Sequence, residues 1–169
     1  HRDAFRRNLL ARDGANGEGQ TVAIDWSMIG LGGLGEDPGI TTARGLFWFE
    51  VDTDRAAEMD QVTFESYIDG LHDTGWQGDA RLARFGYAVY GSLSIGVAMA
   101  TYLGAVEFST ADGVRRHEQN LGLDLNEILA RWAVVHRFLL DLGDEALQLM
   151  EDLWSHGPLI TLCVRFDPT

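Results

Sequence analysis

The chain contains no lysine at all, because its 13 basic residues are all arginine. A Walker A phosphate loop needs a lysine and a Schiff base needs a lysine amine, so these 169 residues can supply neither. Cys163 is the single cysteine, which excludes an internal disulfide and a zinc site built from cysteines of this chain. We therefore expect a cytoplasmic protein.

Basic charge is also scarce. Acidic residues number 26 against 13 basic ones, which gives a formal net charge of -13. A field of this sign repels phosphate backbones and anionic lipids, so we expect no nucleic-acid partner. With 46% hydrophobic and 23% charged residues, the chain can bury a core, and its length fits a single domain over residues 1–169.

One long uncharged run of 22 residues lies between Arg84 and Glu107 and is long enough to cross a bilayer as a helix. Its small and hydroxylated residues also suit close helix packing in a soluble protein. We expect a buried helix here and no membrane partner. The chain begins at His1 without methionine or signal-peptide features, and we expect further residues upstream.

The pattern of hydrophobic residues predicts a mainly α fold with a small β-hairpin. The turn-rich segment DGANGEGQ between two short apolar runs predicts the hairpin. Helices are predicted over 38–49, 54–73, 79–103, 124–141 and 144–156, and the first has Asp37 as N-cap before Pro38. Asp124 and Glu127 resemble a capping box that opens the fourth helix. The tail LITLCVRF is predicted as a strand or an extended segment.

The opening octapeptide HRDAFRRN carries the spacing H-x-D-x-x-x-x-N through His1, Asp3 and Asn8, and Asp25 follows the strand-like run TVAI. Phosphoryl transfer needs a carboxylate that orients the attacking hydroxyl and accepts its proton. It also needs two oxygen ligands for the Mg²⁺ that bridges the nucleotide phosphates. Asp3 is the candidate base, and Asn8 and Asp25 are the candidate metal ligands. A hairpin from Leu9 to Asp25 would return the second ligand to the first.

These residues resemble the aminoglycoside phosphotransferase and choline kinase-like family, the small-molecule branch of the protein-kinase-like fold. HRDAFRRN is similar to the family's catalytic loop, TVAIDW to its strand and metal-binding aspartate, and GLGEDPG to a segment whose aspartate braces that loop. The resemblance implies Asp3 as catalytic base, Asn8 and Asp25 as Mg²⁺ ligands, and His1 and Asp37 as structural supports. It implies ATP, or another nucleoside triphosphate, with Mg²⁺ as cofactors.

The resemblance covers the whole chain but only the C-terminal lobe of such an enzyme. Residues 1–40 would hold the catalytic and metal-binding loops with the hairpin, and residues 41–169 a helical substrate-side subdomain. The glycine-rich phosphate cover and the strand lysine belong to an N-terminal nucleotide lobe, which this lysine-free sequence does not contain. We therefore expect this chain alone to bind nucleotide weakly and to turn over negligibly.

The resemblance also implies a small hydroxylated acceptor, such as an aminoglycoside, an amino alcohol or a sugar. DWS stands where protein kinases have DFG, Arg2 replaces the family's usual glycine and Phe5 its usual histidine or lysine, and no A-P-E segment follows. The missing segment makes a protein substrate less favoured than a small one. The acidic net charge favours a cationic acceptor. The sequence names no substrate-binding residue.

Two other functions fit parts of the sequence. A non-catalytic helical interaction module, or a degenerate kinase lobe, could keep the motif as scaffold. The run from Gly30 to Gly35 matches the G-x-G-x-x-G of dinucleotide-binding turns, but Glu36 and Asp37 at the next helix start would repel a pyrophosphate.

The remaining polar clusters are predicted to be structural. Four histidines lack metal-ligand spacing and are expected on helix surfaces or at caps: His72, His117, His136 and His156. The charged run Arg115–Glu118 is predicted to be a solvated loop.

Overall fold

The computed structural model describes residues 1, 3–4, 6–14 and 17–155. Within these ranges the chain is mainly helical, with one two-stranded antiparallel sheet. The strands and helices, in chain order, are β1 (Leu9–Asp13), β2 (Gly19–Ala23), α1 (Glu36–Phe47), α2 (Ala56–Asp73), α3 (Ala80–Tyr90), α4 (Ala100–Tyr102), α5 (Ala111–Leu121) and α6 (Leu125–Trp154). The predicted fold class is confirmed at this level. The predicted tail segment LITLCVRF lies outside the described residues.

The predicted hairpin is present. Strand β1 pairs with β2 in a register that sets Leu9 opposite Ala23 and Asp13 opposite Gly19. The Gly14 amide donates to the Glu18 carbonyl at 2.7 Å and closes the loop between the strands. Most hairpin side chains are exposed, so the backbone hydrogen bonds between the strands and the turn define the geometry of the hairpin more than apolar burial does.

Helix α1 is central to the core. Its buried apolar side chains include Ala43, Leu46 and Phe47, each 0% exposed. The helix begins two residues earlier than predicted: Gly35 is the N-cap at φ 80°, and Asp37 lies inside the first turn instead of capping it. A Cβ at Gly39 would lie 2.3 Å from the Tyr87 carbonyl oxygen, so only glycine allows α1 to approach α3 this closely.

An ion-pair network joins three helices beside this core. Arg84 on α3 donates to Asp60 on α2 at 2.9 Å and to Glu145 on α6 at 2.7 Å. Its guanidinium also lies 4.8 Å from the ring centroid of Tyr87. Burial opposes the charged form of Arg84, but the hydrogen bonds that it donates to the two carboxylates raise its pKa above the ordinary value. Arg84 is therefore a fixed cation that ties α2, α3 and α6 together.

The predicted helix over 79–103 is part of a longer helical stretch. Helix α3 continues through π-helical turns, Gly91–Met99 and Leu103–Glu107, on either side of α4. Ala80–Glu107 is long and apolar enough to cross a membrane by length and composition, and the mean hydropathy of its most apolar 18-residue window is 1.4. Only 22% of its most apolar window is buried, so the expected burial applies to one face, which includes Ala83, Tyr87 and Ile95. Core helices of soluble proteins also satisfy these criteria, so the absence of a membrane partner stays a prediction.

Helix α6 spans 30 residues without a break. The predicted capping residue is confirmed, because the Asp124 carboxylate accepts from the Glu127 amide at 3.0 Å. The predicted division into helices over 124–141 and 144–156 is wrong within the described residues. A repeat of buried residues at alternating steps of four and three keeps one face against the core through this point: Ile128, Trp132, Val135, Leu139, Leu142 and Ala146.

The solvated loop predicted at Arg115–Glu118 is also wrong, since these residues lie inside α5. Thr110 caps the helix by accepting from the Gly113 amide at 3.1 Å, and Gly122 ends it in the left-handed conformation at φ 67°. His117 is 8% exposed and faces the core, whereas the sequence predicted a surface or capping position.

Candidate functional site

The first two predicted site residues, Asp3 and Asn8, are in direct contact. Asn8 ends a short 3₁₀ turn, Arg6–Asn8, and is 9% exposed. Its side-chain nitrogen donates to the Asp3 carbonyl oxygen and to Asp3 Oδ2, each at 2.9 Å. The amide nitrogen therefore holds the loop and the carboxylate, while the role of metal ligand requires the amide oxygen of Asn8.

The hairpin brings the segment of Asp25 to Asn8. The Ile24 amide donates to the Asn8 carbonyl at 2.9 Å, directly after the paired residues Leu9 and Ala23. Asp25 directly follows Ile24, so the strand pairing brings the backbone of Asp25 close to Asn8. This is the return path that the spacing of the motif predicts.

Asp25 has an unusual backbone conformation. Its φ of 57° and ψ of 67° lie in the left-handed region, which costs a non-glycine residue about 1 kcal/mol. Its Oδ1 accepts from the Ser27 hydroxyl at 2.7 Å and from the Ser27 amide at 3.4 Å, and so caps the 3₁₀ turn Trp26–Met28. Such a conformation persists only where neighbouring contacts hold it, and these side-chain contacts supply part of that restraint.

The predicted support residues His1 and Asp37 contact each other. The backbone nitrogen of His1 donates to Asp37 Oδ2 at 2.9 Å. The His1 ring nitrogen Nε2 lies 2.8 Å from the Ile24 carbonyl oxygen, and the ring packs 4.5 Å from that of Trp26. His1 therefore links the loop that holds Asp3 both to α1 and to the segment that carries Asp25.

Two residues of the site were missed by the sequence analysis. The Thr41 hydroxyl donates to the Ala4 carbonyl, and the Arg44 guanidinium forms an ion pair with Asp3 Oδ1. Both residues lie on α1, four and seven positions after Asp37, so all three share one helix face. That spacing from Asp37 was the signal that could have revealed them.

Asn8 and Asp25 are the two residues that the sequence predicts as Mg²⁺ ligands. Among the described residues, no group of three or more histidine, cysteine, aspartate or glutamate side chains could hold a metal ion. A site made of Asn8 and Asp25 supplies only one amide oxygen and one carboxylate. Mg²⁺ in phosphoryl-transfer sites uses one or two protein ligands and completes its shell with phosphate oxygens and water. Asn8 and Asp25 would supply that number of protein ligands, and they do not form a closed metal cage.

A cavity of about 360 Å³ lies beside the loop that holds Asp3, between the hairpin and helices α1 and α2. Its lining includes Arg6 on the loop, Thr41 on α1 and Met59 on α2. Glu50 adds one carboxylate, which is 13% exposed and lies 3.4 Å from Arg7. The cavity therefore borders the loop that holds Asp3 and has room for a small polar molecule.

A second buried polar group lies in an aromatic cluster away from the motif. The His117 ring lies 5.1 Å from Phe108 and 6.1 Å from Trp132 between ring centroids. Neither ring nitrogen of His117 has a hydrogen-bond partner within the part of the chain that the structure describes. Burial lowers the pKa of His117, which favours its neutral form. The cluster is a packing unit, anchored by a hydrogen bond of 2.8 Å from the Trp132 indole nitrogen to the Phe47 carbonyl.

No family model, no curated protein and no solved structure matches this chain. The dinucleotide-binding alternative finds no support in the fold, because the described residues form only the antiparallel hairpin and no parallel sheet.

Proposed function

We propose that this chain is the catalytic, C-terminal lobe of an ATP-dependent phosphotransferase that acts on a hydroxyl group of a small acceptor. The proposal follows the resemblance to the aminoglycoside phosphotransferase and choline kinase-like family. The observation that carries it is the hydrogen bond of Asn8 to Asp3, combined with the strand pairing that brings Asp25 next to Asn8. A base and two oxygen ligands on adjacent backbone segments are the parts that phosphoryl transfer needs.

Each residue has a defined role in this proposal. Asp3 orients the acceptor hydroxyl and takes its proton as the acceptor oxygen bonds to the γ-phosphorus. The bond from that phosphorus to the β–γ bridging oxygen breaks, and the nucleoside diphosphate leaves. Asn8 and Asp25 would hold Mg²⁺, which neutralises charge on the phosphates when it is bound. His1 and Asp37 keep the loop in place.

The proposed acceptor is a small, cationic, hydroxylated molecule, such as an amino alcohol or an amino sugar. The cavity of about 360 Å³ beside the loop has the size for such a ligand. The net charge of -13 favours a cation over an anion. Within the cavity wall, Arg6 and the carboxylate of Glu50, which is paired with Arg7, balance each other in charge.

The second candidate is a non-catalytic module in which the motif is scaffold. One observation favours it: both carboxylate oxygens of Asp3 are engaged, Oδ1 by Arg44 and Oδ2 by Asn8. A carboxylate bound at both oxygens can be a structural tie rather than a base. The two candidates differ in whether turnover depends on Asp3.

The deciding experiment uses the complete product of the gene, because the phosphate-binding lysine of the proposed enzyme must come from outside this lysine-free sequence. Release of ADP from MgATP is measured with choline, ethanolamine and kanamycin as acceptors. Asp3→Asn should remove acceptor-dependent turnover, by about 1,000-fold or more, while MgATP still binds. The matched control is Asp69→Asn, on the exposed surface of α2. Equal rates in the wild type and the Asp3 variant would favour the non-catalytic module.

A further inference from the structure

Helix α1 contacts the catalytic loop at three points along one face. Asp37 accepts from the backbone of His1, Thr41 donates to the carbonyl of Ala4, and Arg44 pairs with the carboxylate of Asp3. The helix positions 37, 41 and 44 follow the i, i+4, i+7 spacing of a single helix face. Two of these contacts hold the loop backbone, but Arg44 holds the proposed base itself.

The Asp3 carboxylate is restrained from two sides. Arg44 contacts Oδ1, and the Asn8 amide contacts Oδ2 at 2.9 Å. Because each oxygen has its own donor, rotation of the carboxylate would break at least one charge-assisted hydrogen bond. The side chains of Asp3 and Arg44 are 22% and 28% exposed, so solvent competes less here than at a surface pair.

The position of Arg44 is fixed by the core. Its neighbours in sequence, Ala43 and Gly45, are buried, and Leu46 and Phe47 are 0% exposed. A Cβ at Gly45 would lie 2.9 Å from the end of the Met59 side chain, which shows how closely α2 packs at this turn. The guanidinium therefore projects from one of the best-packed segments of the fold.

We propose that Arg44 is a positioning residue, which fixes the orientation of the Asp3 carboxylate toward the acceptor hydroxyl. This inference rests on the proposed phosphotransferase function and adds to it a residue that the motif does not contain. Arg44 acts on turnover through Asp3 and does not touch the acceptor or the nucleotide. The ion pair between Arg44 and Asp3, which would be purely structural in a non-catalytic module, keeps the carboxylate of the proposed base aligned.

The test compares Arg44→Ala and Arg44→Lys with Arg115→Ala in the complete gene product. Arg115 is a matched control, because it also pairs with an aspartate, Asp112, but on the exposed surface of α5. The kcat of acceptor phosphorylation, the KM for MgATP and the melting temperature are measured for each variant, next to Asp3→Asn.

We expect Arg44→Ala to lower kcat by about 100-fold, the cost of a misplaced reacting group. The KM for MgATP should stay within roughly twofold, because Arg44 does not contact the nucleotide. Arg44→Lys should recover about tenfold of the lost kcat, since it keeps the charge but not the planar fork of donors. If Arg44→Ala does not fold, the Lys variant decides alone, with a kcat about tenfold below the wild type and an unchanged KM.

Three results would overturn the inference. The first is a kcat for Arg44→Ala equal to that of Arg115→Ala. The second is a parallel fall of kcat, nucleotide affinity and melting temperature in Arg44→Ala, which marks a merely structural role. The third applies if only Arg44→Lys folds, and it is a kcat of Arg44→Lys equal to that of the wild type. Failure of the proposed function gives a different pattern, because turnover would then be absent or equal in the wild type and Asp3→Asn.

Discussion

The side-chain nitrogen of Asn8 lies 2.9 Å from both the carbonyl oxygen and Oδ2 of Asp3. One amide group therefore fixes the backbone and the side chain of the proposed base at the same time. Since Asn8 is almost fully buried, these hydrogen bonds also matter for stability.

The first prediction concerns this contact. Asn8→Ala should reduce the free energy of unfolding by about 1–3 kcal/mol, because the Asp3 acceptors lose their buried donor. Urea denaturation of the variant measures the loss, with Asn126→Ala on the exposed side of α6 as the control. A variant as stable as the control would show that the contact carries no net stability.

The second prediction concerns the cation that joins α2, α3 and α6. Arg84→Leu should cost about 2 kcal/mol of stability, because Asp60 would keep a largely buried charge without its partner. The Glu145 carboxylate adds less to this loss of stability, because its side chain is 38% exposed and water can solvate its charge. Arg81→Leu, which removes an exposed pair with Asp79 on the same helix, should change stability by less than about 1 kcal/mol. Equal effects of the two substitutions in chemical denaturation would refute the network's role.

The third prediction concerns pH. The pKa of His117 is lower in the folded state than in the unfolded chain because the ring is buried, and the nearby charges of Glu107 and Arg116 act in opposite directions. The unfolded state then binds more protons in the interval between the two pKa values, so stability is complete above about pH 6.5 and falls as the pH drops through that interval.

His117→Phe should remove this part of the pH dependence. Between about pH 7.5 and about pH 5.5 the variant should lose less unfolding free energy than the wild type. His72→Phe, at an exposed position of α2, is the control and should follow the wild-type curve. Parallel curves for the wild type and the His117 variant would contradict the buried neutral histidine.

The fourth prediction concerns the middle of α6. A Cβ at Gly143 would lie 3.6 Å from the Ser92 Cβ, an ordinary packing distance. Gly143→Ala should therefore stabilise the protein by about 0.5–1 kcal/mol through helix propensity. Gly39→Ala should destabilise it, since the new Cβ would lie 2.3 Å from a backbone oxygen of α3. A loss of stability in the Gly143 variant would indicate a helix break at this position, as the sequence predicted.

The parts of the fold that follow local rules could be predicted from the sequence. The turn-rich run before β2 predicts the hairpin, and Asp124 predicts the start of α6 through its contact with Glu127. The sequence predicted a break between residues 141 and 144, but tertiary packing along α6 overrides the weak helix propensity of Gly143. The signals for α5 were its caps, Thr110 and Gly122, and the charged run between them obscured the helical pattern.

Contacts within the candidate site were predictable only between residues that are close in sequence or joined by the hairpin. His1, Asp3 and Asn8 lie on one loop, and the hairpin makes Asp25 a near neighbour through strand pairing. Arg44 reaches Asp3 across 41 positions of sequence. Such a contact depends on how α1 packs against the loop, which no spacing rule within the motif contains.

In the proposed function, Asn8 and Asp25 would hold the metal of a metal–nucleotide complex. Mn²⁺ accepts the same oxygen ligands as Mg²⁺ and can be followed by water-proton relaxation. Mn²⁺–ATP is titrated into the complete gene product, its Asp25→Asn variant and an Asp13→Asn control on the same hairpin. We expect Asp25→Asn to weaken the binding of Mn²⁺–ATP by at least about tenfold, while the Asp13→Asn control binds it like the wild type. Equal affinities for all three proteins would contradict this expectation.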